Sequence, residues 1–83
     1  MSRTLPLSFP DAREVAAELL GPGFVVLADG YEDEVKYLVR YQEADGPSWD
    51  LPVLVIEKRT GWARFLPWFD GVDLPNRMRP VRV

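Results

Sequence analysis

The side chains that could do chemistry are few. The chain has no histidine and no cysteine, so Ser-His-Asp and Cys-His arrangements, thiolate metal sites and disulfides are all outside its chemistry. The hydroxyls left as nucleophiles are Ser2, Thr4, Ser8, Ser48 and Thr60. Ser8 is better read as a helix cap. Ser48 lies in the loop between Pro47 and Trp49, with Asp45 and Asp50 nearby but no strong base. Lys36 and Lys58 both fall on expected strands, with no neighbour that would activate them.

Carboxylates could work in pairs as general acid and base. Asp45 and Asp50 bracket one loop, and Glu32, Asp33 and Glu34 crowd another. Turns collect such residues for backbone reasons, so solvated turns are the preferred reading of both groups. Asp29, Tyr31 and Asp33 echo the spacing of a calcium loop. Tyr31 cannot supply the third-position carboxylate, and Arg40 stands where the twelfth-position glutamate belongs, so that site is rejected. Gly21 and Gly23 follow a helix instead of leading into one, which argues against a phosphate cradle. No cofactor or metal is expected, and the chain reads as non-enzymatic.

Surfaces then become the place to look. Trp62, Phe65, Trp68 and Phe69 fall within eight residues, with Arg59 and Arg64 close by. Aromatic residues mixed with arginine mark protein interfaces. They also stack the bases of single-stranded nucleic acid. A thin domain needs large rings for its core as well, and core packing is the first expectation for this segment. Arg77 and Arg79, followed by Arg82, make a basic end that could touch phosphates, fray, or add an edge strand. Both Arg77 and Arg79 could also pair with the acids at Glu32–Glu34. The expected interaction set is therefore Arg59, Trp62, Arg64, Trp68, Phe69, Arg77 and Arg79.

The elements that position these residues follow from pattern. Eighty-three residues suffice for one domain. At that size only roughly 60–65% of the unfolded surface is buried, so the core is thin. With 47% hydrophobic and 28% charged residues the composition is that of a folded chain. Ser8 followed by Asp11 resembles a capping box, and Pro10 suits a first turn. Ala12, Val15, Ala16, Leu19 and Leu20 make one apolar stripe, and Gly21-Pro22-Gly23 stops it. A helix is expected over residues 9–20. Strands are expected at Phe24–Ala28, Val35–Tyr41, Val53–Lys58 and Trp62–Leu66. The first two should form a hairpin through a turn of about six residues, Asp29–Glu34. Val53–Ile56 is apolar on both faces, which asks for a covered or interfacial position.

The expected fold is α+β: one N-terminal helix on a three- to four-stranded antiparallel sheet (α-β-β-β-β). Residues 1–7 form a lead-in, and residues 67–83 an irregular tail open to mobility. No segment approaches the ~20 apolar residues of a membrane helix, and Met1–Pro10 lacks the apolar core of a secretory signal. A cytoplasmic location is the default. Net charge is −3 and uneven: residues 1–55 carry −6 and residues 56–83 carry +3, from ten acids and four bases against three acids and six bases.

Three functional expectations follow. The first is a protein-binding or regulatory module that uses the aromatic–arginine surface. Its partner would be another protein or a second copy, as in a homodimer. The second is nucleic-acid binding through the basic C-terminal third. The third is a small carboxylate-dependent enzyme using Asp45 and Asp50.

Overall fold

The computed structural model describes residues 4–46, 51–67 and 73–83. Helix α1 (Phe9–Leu20) packs on a five-stranded antiparallel sheet made of β1 (Phe24–Glu32), β2 (Lys36–Glu43), β3 (Val53–Glu57), β4 (Ala63–Leu66) and β5 (Arg79–Arg82), in the order β4-β3-β2-β1-β5. The α+β reading holds. The sheet has one strand more than the three to four expected, because the tail supplies β5.

The helix begins as its sequence dictates. The Asp11 amide donates to the Ser8 hydroxyl and the Ser8 amide to the Asp11 carboxylate, closing the capping box. Gly21 ends it at φ 80°, a conformation that costs glycine little. Ala12 and Ala16 are fully buried and let the helix lie close to the sheet, flanked by Phe9. The Phe9 ring meets Tyr37 at 5.6 Å. Tyr37, Val39, Leu54 and Ile56 project from β2 and β3 into the same core. Leu7 joins them: its amide donates to the Lys58 carbonyl and its own carbonyl accepts from the Tyr37 hydroxyl. The last part of the lead-in is thus pinned to the sheet. Leu19, expected in the buried stripe, is 51% exposed.

The largest departure from the sequence reading concerns Asp29–Glu34. This segment is mostly strand, and β1 runs on to Glu32. The pairing with β2 shifts between Val26↔Tyr41 and Gly30↔Val39, so β1 carries two extra residues in a bulge. Asp29-Gly30 is therefore no turn. Gly30 is buried where a Cβ would stand 2.5 Å from the Leu38 carbonyl oxygen and 3.0 Å from the Phe9 ring. The true turn is Asp33–Val35, three residues long, with the Asp33 carboxylate accepting from the amides of Val35 and Lys36 at 2.8 Å each. Three of the four acids in this segment find local cations. Arg40 pairs with Asp29, Lys36 with Asp33 and Lys58 with Glu32. Arg77 and Arg79 are not their partners.

The bulge exposes two carbonyls to the helix side. Arg13 takes both: Nε donates to Leu27 O at 2.8 Å and Nη2 to Val26 O at 3.1 Å. β5 adds to the outer edge of β1, with Glu32↔Arg79 and Asp29↔Arg82 in register. The link from β4 to β5 joins opposite edges of the sheet and includes a 3-10 turn at Leu74–Arg77. Leu38 and Val55, paired with each other and pointing away from the helix, are also buried. So is Met78, at the end of that link. This accounts for the doubly apolar character of β3, which lies inside the sheet.

Candidate functional site: the β3–β4 hairpin and its free edge

The β3–β4 hairpin gathers three of the residues singled out above. The Glu57 amide donates to the Trp62 carbonyl at 2.8 Å and the Gly61 amide to the Glu57 carbonyl at 2.9 Å. Gly61 adopts φ 76° to close the turn. The Thr60 hydroxyl ties the same turn down, donating to Glu57 and accepting from the Trp62 amide. Arg59 stands exposed in this turn.

Alternation then sets the faces of β4. Ala63 pairs with Ile56 and turns to the core; Phe65 pairs with Leu54 on that same face. Trp62, Arg64 and Leu66 turn away from the helix. Trp62 is 75% exposed and Phe65 43% exposed. Core packing was the first expectation for these rings; Trp62 stands largely outside the core, whereas Phe65 is partly covered on the core face. They lie at the edge strand, where no neighbouring strand closes over them among the described residues.

Phe65 borders an apolar cleft of about 330 Å³ past the end of the helix, formed with Leu19, Leu20, Phe24, Tyr41 and Pro52. Its floor is a ladder of rings. Phe24 meets Tyr41 edge-on at 5.7 Å, and Tyr41 meets Phe65 at 6.2 Å. The Tyr41 hydroxyl donates to the Pro52 carbonyl at 2.6 Å, and burial pushes its pKa up from 10.0. Tyr41 therefore stays a neutral donor that fixes the cleft wall. No sequence signal marks this cleft. Phe24, Tyr41 and Phe65 come from three strands, and only their register brings them together.

The basic residues do not converge. Arg64 and Arg82 share the face away from the helix but stand on opposite edges, and Arg79 points to the helix side. Arg59, Arg64, Arg77, Arg79 and Arg82 are exposed and make no ion pair among the described residues. Trp68 and Phe69 lie outside the described residues, as do Ser48 and Asp50. Asp45 is exposed in the loop after β2. Among the described residues no three acidic side chains gather as a metal site would require, and no helix is long and apolar enough to cross a membrane. Comparison with protein-family models, with curated protein sequences and with solved structures gave no match.

Proposed function

We propose that this chain is a non-enzymatic protein-binding module and that the β3–β4 hairpin, with Arg59, Trp62, Arg64 and Phe65, is its contact surface. The observation that carries the reading is the exposure of Trp62. A tryptophan that is 75% exposed at the start of a sheet edge, with a second exposed ring three residues on, leaves large apolar area in water. Aromatic and arginine side chains in that setting are the usual anchors of protein contacts. The adjoining apolar cleft supports the same reading.

Nucleic-acid binding needs the arginines of the C-terminal third on one face, and they are spread over both faces and both edges. Catalysis by Asp45 has no support from the exposed position of that residue.

Photo-crosslinking tests the reading. With a benzophenone amino acid at position 62, discrete protein adducts are expected in cells that make the protein naturally. The same group at Ala17, on the exposed side of the helix, should give none of them. Matching adducts from both positions refute a specific surface at the hairpin. Sedimentation of the purified chain separates a second copy from a different partner.

A further inference from the structure

We propose that the outer edge of β4 binds an extended peptide strand whose side chains alternate between apolar and acidic. This deepens the protein-binding reading and rests on it.

The backbone argument comes first. Because Glu57 N–H donates to Trp62 O, the hydrogen-bonded pairs between β3 and β4 are Glu57 with Trp62 and, two residues on, Val55 with Arg64. The amide and carbonyl groups of Ala63 and Phe65 therefore face outward. Among the described residues no strand meets them. An incoming strand can take both, as in other cases where a peptide extends a sheet.

The opposite edge is closed to this chemistry. The Val83 amide donates to the Ala28 carbonyl, so residues 79, 81 and 83 turn inward and Pro80 and Arg82 turn outward. Pro80 has no N–H to offer there, and its ring blocks the edge, a common protection of edge strands. β4 has no such block at 63–65.

The side chains then specify the occupant. A strand paired to β4 places alternate residues beside Phe65 and beside Arg64, at about 5 Å between facing Cβ atoms. Those on the helix side lie against Phe65 and the mouth of the apolar cleft, so they should be apolar. Those on the other side meet Arg64, which is exposed and without an ion pair among the described residues, so they should be acidic.

A second copy fits less well. Antiparallel self-pairing that uses both outward pairs is centred on Arg64 and sets the two Arg64 side chains against each other, which is destabilising. Centring on Phe65 instead sets Ala63 against Pro67, which lacks an N–H.

The test is fluorescence polarisation with a labelled octapeptide of alternating valine and glutamate. A valine–lysine octapeptide and a valine–glutamate peptide N-methylated along its pairing edge serve as controls. The acidic peptide should bind about fivefold or more tighter than the basic one, and Arg64→Glu should invert that order. N-methylation should abolish binding to the unaltered protein, which checks strand pairing without any variant.

Equal binding of the acidic and basic peptides, or none up to about 1 mM, overturns the proposal. So does a wild-type chain that sediments as a dimer and becomes monomeric on Ala63→Pro, a change that removes an outward amide and sets a ring on that edge. If the peptides fail while position 62 still gives adducts, the strand pairing alone is wrong. If both fail, the protein-binding reading falls with it.

Discussion

Replacing Arg13 by alanine should lower the melting temperature by roughly 8–16 °C, because one guanidinium satisfies both carbonyls at the β1 bulge. A bulge interrupts the ladder and leaves main-chain groups without strand partners. β5 reaches only as far as the Val83–Ala28 bond, so it does not cover Val26 and Leu27. Arg13 reaches from the helix and donates to both, at 3.1 and 2.8 Å.

A hydrogen bond from a charged donor contributes about 1.5–3 kcal/mol when buried. The Arg13 pair is only partly buried, and water replaces some of what is lost, so about 2 kcal/mol in total is the expected cost. For a domain of this size each kcal/mol moves the midpoint by about 4–8 °C. Arg13→Lys should fall between the two, since one ammonium group cannot fork between two carbonyls. Thermal melts followed by far-ultraviolet circular dichroism measure this, with Arg64→Ala as an exposed-arginine control. An Arg13→Ala midpoint within about 2 °C of wild type refutes the reasoning, and water then serves those carbonyls as well as the guanidinium does.

Other outcomes follow from the same structure. Gly30→Ala should cost about 2–3 kcal/mol in urea denaturation, because its Cβ meets the Leu38 carbonyl at 2.5 Å and β2 has to shift. A near-neutral result means the bulge relaxes freely. Burial works against the Asp33 carboxylate, but the Lys36 side chain and the amides of Lys36 and Val35 outweigh it and hold its pKa at about 2, below the ordinary 3.8. The folded state therefore gains stability from Asp33 above about pH 4, and loses it as pH falls toward 2. Asp33→Asn should flatten the stability profile across that window, and an unchanged slope rejects the assignment. Trp62→Ala should change stability by no more than about 0.5 kcal/mol while removing contact with a partner. A large loss of stability instead makes that ring part of the core.

Much of the local structure was legible in the sequence because local rules govern it. Ser8, Asp11 and Gly21 mark the helix ends through hydrogen bonds that span only a few residues. Tyr37 and Val39 fall on one face of β2 because a strand alternates. The apolar run at Val53–Ile56 announced an interior strand. The Asp29-Gly30 reading failed for a physical reason. The dipeptide suits a tight turn, but glycine also suits a bulge where another backbone comes too close for a Cβ, and only the neighbouring strand decides between them.

The candidate site divides in the same way. Its residue types at Arg59, Trp62 and Arg64 stand out in the sequence, and the turn at Gly61 places them on one hairpin. Their exposure does not follow from the sequence, because the Trp62 ring is as apolar on paper as the buried rings of Phe9 and Tyr37. Exposure follows from β4 being an edge. That in turn follows from β5 joining β1 at the far side of the sheet, some fifty residues from its partner along the chain. Alternation and caps are properties of neighbouring residues, so the sequence alone determines them. Strand order, the bulge that Arg13 stitches and the aromatic cleft depend on pairing between distant segments. Those pairings are chosen by how the whole core packs, and only the tertiary structure decides them.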